Sequence, residues 1–212
     1  MSAFKIFSGI AVLALGILAV GSTSDAQDPA PVVTHNAVMK TSLGNIEIEL
    51  YGMNAPKTVK NFIELSKKQY YNGILFHRVV PGFVVQAGDP YTRDSAGRRE
   101  IWGQGGRSVF GNTFADELHP DMLRLVGYKE GVLAMANRGP NTNSSQFFIV
   151  LSEAGATHLT AQYKWTIFGR VTKGMDIVHK MEKATIDART GQPQQPASIM
   201  EIDAIEVKAA NN

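Results

Sequence analysis

The feature that most narrows the folds open to this chain is a succession of short strand-like runs broken by turn residues. Ile46-Glu47-Ile48-Glu49-Leu50 alternates apolar and acidic side chains, the period of a strand with one buried face, which predicts that its carboxylates face water. Ser42-Leu43-Gly44-Asn45 is a turn-rich stretch separating it from another run at 38–41. Runs at 75–79, 83–87, 131–135, 146–151, 166–171 and 199–207 also read as strands. Two helices interrupt them. One opens near Pro56, a favoured first-turn residue, and puts Val59, Phe62, Ile63 and Ser66 on one side; the other, 175–183, carries Met175, Val178 and Met181 at helical spacing. About eight short strands without regular helix alternation argue against a doubly wound α/β fold. They suit a mainly β chain, an eight-stranded antiparallel closed barrel capped by two α-helices, although periodicity alone leaves sandwich and barrel both open.

The N-terminus has the three-part layout of a secretory signal. Lys5 precedes an uncharged apolar run over 6–20, then small and polar residues lead to Ser24-Asp25-Ala26. The expectation is a signal peptide over 1–26, cleaved after Ala26. An uncleaved membrane anchor is the alternative, and the run is shorter than the roughly 20 residues that span a bilayer comfortably. Residues 27–36 hold two prolines and read as a linker, 37–208 as the folded domain and 209–212 as a polar tail.

Composition excludes several classes of function. The 212 residues suit one domain, and 44% hydrophobic with 19% charged residues allows a real core. A net charge of +2 without a run of Lys and Arg gives no nucleic-acid footprint. The absence of cysteine removes disulfides, thiol nucleophiles, cysteine-ligated zinc and lipidation at an N-terminal cysteine.

Two segments carry the chemistry. They are Phe76-His77-Arg78-Val79-Val80-Pro81-Gly82-Phe83-Val84-Val85-Gln86-Ala87-Gly88-Asp89 and Met135-Ala136-Asn137-Arg138-Gly139-Pro140-Asn141-Thr142-Asn143-Ser144-Ser145-Gln146-Phe147-Phe148-Ile149. Each joins a strand to a Gly/Pro/Asn-rich turn and sets aromatics beside polar side chains. Together they can build an apolar pocket with one cation and several amide donors, suited to gripping an uncharged, partly apolar substrate.

These segments resemble the signature of the cyclophilin-type peptidyl-prolyl cis-trans isomerases, in particular exported bacterial members. The resemblance runs from 38 to 207 and includes Ala55-Pro56-Lys57-Thr58-Val59-Lys60-Asn61-Phe62 and Trp165-Thr166-Ile167-Phe168-Gly169-Arg170-Val171. It implies a capped barrel with its groove on the outer surface, and rotation about X-Pro bonds with no cofactor and no metal. By resemblance Arg78 is the catalytic arginine, and Gln86 bonds the substrate backbone and helps hold that arginine. Phe83, Phe148 and Leu159 match the apolar floor for the proline ring. Val84 stands where methionine is usual, which widens that wall. Ala136 and Gln146 match groove-lining positions, and Asn137 pairs with substrate mainly through its backbone. His77 turns away from Arg78 by strand alternation and reads as structural.

Two departures from the family pattern affect expectations. His158 stands where many members carry tryptophan, so a cyclosporin-type ligand should bind more weakly. The following loop is about two residues longer, within the usual boundary error, which leaves Tyr163 or Trp165 to take the place of the family histidine. An insertion over 91–102 either shapes a secondary pocket or is a solvated mixed-charge loop, and Arg138 narrows or charges the same side. Gly103-Gln104-Gly105-Gly106 fails the nucleotide-binding fingerprints, and five scattered histidines do not make a metal site.

The expected protein is thus a monomeric isomerase acting on proline-containing peptides and unfolded chains. It would be exported, in the periplasm, with no nucleic-acid partner and no stable membrane association after cleavage. A eukaryotic secretory location is the alternative. A competing function is a non-catalytic proline-binding chaperone module of the cell envelope.

Overall fold

The computed structural model describes Met1 and residues 30–94 and 98–206, with the backbone alone over 199–206. The expected signal segment, from residue 2 onward, and the 209–212 tail lie outside the described residues.

Eight strands and four α-helices are present among the described residues. Their order is β1 (His35–Thr41), β2 (Gly44–Leu50), α1 (Pro56–Lys67), β3 (Arg78–Val80), β4 (Val84–Ala87), α2 (Pro120–Leu125), β5 (Val132–Met135), β6 (Phe147–Val150), α3 (Thr157–Gln162), β7 (Ile167–Lys173), α4 (Met175–Glu182) and β8 (Ile199–Glu206). Two 3-10 turns, Pro90–Arg93 and Arg99–Ile101, follow β4. Every expected strand and both expected helices are there. The short α2 and α3 are additional.

The strands form one antiparallel sheet in the order β3-β4-β6-β5-β7-β2-β1-β8. The expected closed barrel needs correction, because the described ladder does not close on itself. Between the two ends stands an isolated bridge, Leu75 to Ser198. The cause lies in β3, which has three residues and receives other backbone: Val79 N donates to Gly191 O at 2.8 Å, and Phe76 N to Ala197 O at 2.9 Å. The linker boundary also shifts. His35 and Asn36 pair with Leu50 and Glu49, and Thr34 N donates to Leu50 O, so the folded unit starts before residue 37.

Alternation along the strands divides the apolar residues into two clusters. Val85 and Ala87 of β4, Leu133 and Met135 of β5, and Phe147 and Ile149 of β6 face the main core with Phe62, Phe76 and Phe168. Their neighbours Val84, Val132, Ala134, Phe148 and Val150 face the other side, packed with Met122 of α2 and with Leu159 of α3. Both faces of the sheet are therefore buried here, and the second cluster supplies the floor of the site. On β2 the acidic residues are not simply solvated. Glu49 Oε1 accepts from Arg170 Nη2 at 2.9 Å and from Tyr51 Oη at 2.7 Å.

Helix α1 opens with Pro56 but has Ala55 at its N-cap, which offers no side-chain acceptor. Glu117 serves instead, from a distant loop. Its carboxylate accepts from Lys57 N at 2.9 Å, Thr58 N at 2.8 Å and Thr58 Oγ1 at 2.8 Å. Asn61, one turn on, donates from Nδ2 to Ser144 O and accepts at Oδ1 from Val109 N. The helix thereby holds the turn before β6.

Candidate active site

Strand register sets three groove residues, and the buried Ala134 behind them, in a row across the sheet. Arg78 of β3 lies opposite Gln86 of β4, Gln86 opposite Phe148 of β6, and Phe148 opposite Ala134 of β5. Side chains at such partnered positions share a face, so pairing alone brings a cation, an amide and an aromatic ring together. A pocket of about 280 Å³ opens above them, lined by Arg78, Phe83, Val84, Gln86, Ala136, Asn137, Phe148, His158, Leu159 and Trp165.

The floor is apolar and fixed. Phe148 is 5% and Leu159 2% exposed, with Val84 buried beside them. Phe83, half-buried, packs on His158 with ring centres 4.6 Å apart, and the edge of His158 meets Trp165 at 6.4 Å. Phe83 follows Gly82, whose N–H donates to Glu182 Oε1 of α4 at 2.7 Å, which anchors that turn.

Arg78 is the one cation in this lining. Burial lowers its pKa, yet a guanidinium stays charged at neutral pH. Its Nη1 reaches Gln86 Oε1 at 3.5 Å, a long contact that leaves the rest of the fork available. Gln86 Nε2 donates to Gln146 Oε1 at 2.8 Å, and Gln146 Nε2 donates to the carbonyls of Gly103 and Gly105 at 2.9 and 2.7 Å. A polar chain thus runs from the arginine to the rim loop. The neighbouring His77 points into the protein, 2% exposed, as strand alternation requires. Among the described residues neither ring nitrogen meets a hydrogen-bond partner, and burial pushes its pKa down to about 4.

Two buried or half-buried carboxylates, to which the sequence reading gave no role, organise the walls. Asp89 is fully buried: Oδ1 accepts from Tyr91 N, and Oδ2 from the N–H groups of Gly103 and Gly105. A Cβ at position 105 would collide with that carboxylate, which is why glycine stands there. Asp116 accepts from Asn141 N at 2.8 Å, Asn143 Nδ2 at 2.8 Å and Asn137 Nδ2 at 3.4 Å. Asn137 also donates to Lys164 O, so its side chain is tied to the loop before β7. No spacing in the sequence reveals either partnership, since the partners come from separate loops.

A second cavity of about 310 Å³ adjoins through Gln86, Ala136 and Asn137. Gln146, Arg138 and the glycines 103, 105 and 106 line it. Gln146 therefore belongs to this wall and supports Gln86 from behind. The described residues of the 91–102 insertion contribute no side chain to either lining. Instead it is bound to the body of the protein, Arg99 donating to Pro193 O and Gln194 O and stacking on Trp102 at 4.7 Å.

Of Tyr163 and Trp165, both left open as the groove residue, Trp165 lines the pocket and Tyr163 does not. Residues 157–162 coil into α3, and Tyr163 ends that helix at a left-handed φ of 43°. This turns its ring onto Tyr128 and its hydroxyl to His119 O. Trp165, two residues later, comes back to the groove.

With this geometry in place, comparison with known proteins decides the family. The family model for cyclophilin type peptidyl-prolyl cis-trans isomerases matches residues 37–204. The chain belongs to the cyclophilin family. Peptidyl-prolyl cis-trans isomerase ppi1 of Schizosaccharomyces pombe is 43% identical over 170 residues, 80% of this chain and 99% of that protein. Human peptidyl-prolyl cis-trans isomerase-like 1 is 47% identical over 146 residues, 69% of this chain and 78% of that protein. A crystal structure of a Cryptosporidium parvum cyclophilin type isomerase superposes with a TM-score of 0.69 at 31% identity, covering 84% of this chain and all of that one. The same parasite protein was also crystallised in the presence of the dipeptide Ala-Pro, and that structure superposes at 0.68. This cyclophilin is a peptidyl-prolyl cis-trans isomerase.

Proposed function

We propose that catalysis takes place in the 280 Å³ groove, with Arg78 as the electrostatic catalyst and Gln86 as its holder and a substrate backbone partner. The observation that carries this is a half-buried guanidinium at the edge of an apolar floor, tethered by an amide. Phe83, Val84, Phe148 and Leu159 hold the proline ring, while Ala136, the Asn137 backbone, His158 and Trp165 border the chain on either side.

Amide rotation faces a barrier of about 18–20 kcal/mol because conjugation makes the C–N bond partly double. No covalent bond breaks. The catalyst must bind the twisted amide more tightly than either planar form. In the twisted state the prolyl nitrogen regains a lone pair, and a fixed donor aimed at it is made stronger there than in the ground state. Arg78 suits this task because it carries a rigid fork of donors and holds its proton throughout. The apolar floor fixes the ring while the preceding carbonyl swings. Nothing in this sequence of events calls for a cofactor.

The protein acts on proline-containing stretches of unfolded chains, as a monomer exported to the periplasm after removal of 1–26. The layout of the N-terminal sequence supports this location, with an uncleaved anchor or a eukaryotic secretory route as the alternatives. The mature N-terminus measured by mass spectrometry tests export: a chain beginning at Gln27 supports it, and one retaining residues 1–26 in a membrane fraction contradicts it.

Catalysed refolding tests the function. Refolding of a reporter protein limited by a cis proline should accelerate with the native chain and not with Arg78→Ala. Equal protection of the reporter from aggregation by both forms, without acceleration by either, would instead favour a holding module.

A further inference from the structure

Beyond the Gln146 cavity lies a third, about 480 Å³, that isomerase activity leaves without a task. Its lining includes Lys68, Tyr70, Tyr91, Arg93 and Arg107, and contains no Asp or Glu. Two guanidiniums share one tyrosine ring there: Arg93 lies 5.2 Å and Arg107 5.5 Å from the centre of Tyr70. Like charges are held together without a carboxylate between them. Arg93 is committed to the carbonyls of Tyr70 and Asn72, which fixes its position. Arg107 is exposed and donates no hydrogen bond among the described residues. Asp89, an acid that acts on Tyr70, is spent on three backbone N–H groups inside the protein.

Position adds to chemistry. Gly106 lines both this cavity and the one containing Arg138, which in turn shares Gln86 with the groove. Three adjoining cavities therefore carry five cations and no carboxylate, on a chain whose 21 Lys and Arg are nearly balanced by 19 Asp and Glu. An extended peptide seated by its proline would lead past Gly106 onto the two arginines.

We propose that Tyr70, Arg93, Arg107 and Lys68 form a docking site for acidic side chains of the same polypeptide whose proline occupies the groove. Guanidiniums bind carboxylates through paired N–H donors, and Tyr70 holds them ready, so an anion relieves a repulsion already built into the fold. The site makes the enzyme prefer prolines flanked at a distance by Asp or Glu. This rests on the groove being the proline site.

The test uses three labelled peptides built on Ala-Ala-Pro-Phe: one with a Gly-Ser spacer and three glutamates before the core, one with them after it, and one with glutamines in their place. Binding to the full chain is followed by fluorescence anisotropy. One acidic peptide should bind roughly tenfold tighter than the glutamine peptide, as a few partly exposed ion pairs allow. The gain should disappear in Lys68→Gln/Arg107→Gln and fade between low and high salt, while exchange of the glutamine peptide stays as in the native chain. Equal binding of all three peptides, or a gain that survives the double substitution, overturns the proposal. If no peptide's proline exchanges faster than in buffer, it is the isomerase reading that has failed, and the anisotropy comparison still decides the acidic site.

Discussion

Gln86 hands one hydrogen bond to Gln146, Nε2 to Oε1 at 2.8 Å, and through it the catalytic strand is tied to the glycine loop on the far side of the groove. Arg78 hangs from the near end of this chain by a longer contact of 3.5 Å. The guanidinium's aim is therefore set by a residue that does not line its pocket. Gln146→Leu should lower kcat/KM for a proline peptide by about tenfold or more, since small displacements of a catalytic group are costly. KM should change little. An unaltered rate would mean that Gln86 holds its place without this support.

Asp89 supports the same loop from beneath with three backbone hydrogen bonds. Asp89→Ala leaves the N–H groups of Tyr91, Gly103 and Gly105 without their acceptor in a half-buried place. The expected loss is about 2–4 kcal/mol in urea unfolding, the scale for orphaned buried donors. Activity at temperatures where the variant is folded should fall as well, because Gly103 O anchors both Gln146 and Arg138.

His77 predicts the acid response. Burial outweighs the attraction of Asp89 and, with a smaller push from Arg78, places its folded pKa at about 4. The unfolded imidazole titrates near its ordinary value of about 6.5. Folding therefore excludes a proton over that interval, so stability is full above about pH 6.5 and falls as the pH drops toward 4. At about 1.4 kcal/mol per pH unit, the loss is on the order of 3 kcal/mol. Urea midpoints from pH 7 to 4 should show this slope, and His77→Asn should flatten it whatever its effect at neutral pH.

His158 should set the response to cyclosporin-type ligands. Its exposed ring lies between Phe83 and Trp165, at 4.6 and 6.4 Å. His158→Trp supplies an indole N–H and a larger apolar face at this border, and should tighten cyclosporin binding by at least about tenfold, the scale of one good aromatic contact. Calorimetry on both forms measures it. No change would place the weakness elsewhere, for instance at Val84.

Much of this was legible in the sequence, for identifiable reasons. Alternation over Ile46 to Leu50 and the pairing of apolar runs fixed strand positions to within a few residues, because each strand needs one face buried. Pro56 marked the first helix, although its cap, Glu117, could not be foreseen across 60 residues. The short helices α2 and α3 escaped notice since six residues give too few turns to show a period. That omission also left the choice between Tyr163 and Trp165 open: a stretch read as loop was a helix, and its left-handed end turns Tyr163 away and brings Trp165 to the groove. The open end of the sheet was hidden for a similar reason. Backbone of the 187–197 stretch, irregular in sequence, does the pairing that a strand was expected to do.

The central claim is that Arg78 stabilises a twisted prolyl amide. Two-dimensional exchange NMR on a short Ala-Pro-Phe peptide, with the native chain and with Arg78→Ala, tests it most directly. Exchange much faster than in buffer is expected with the native chain, reduced by about 100-fold or more in the variant, the scale for removing one preorganised donor. The variant should keep the fold and the peptide's contacts with Phe83, Phe148 and Leu159. Undiminished exchange in a folded Arg78→Ala protein would contradict the account.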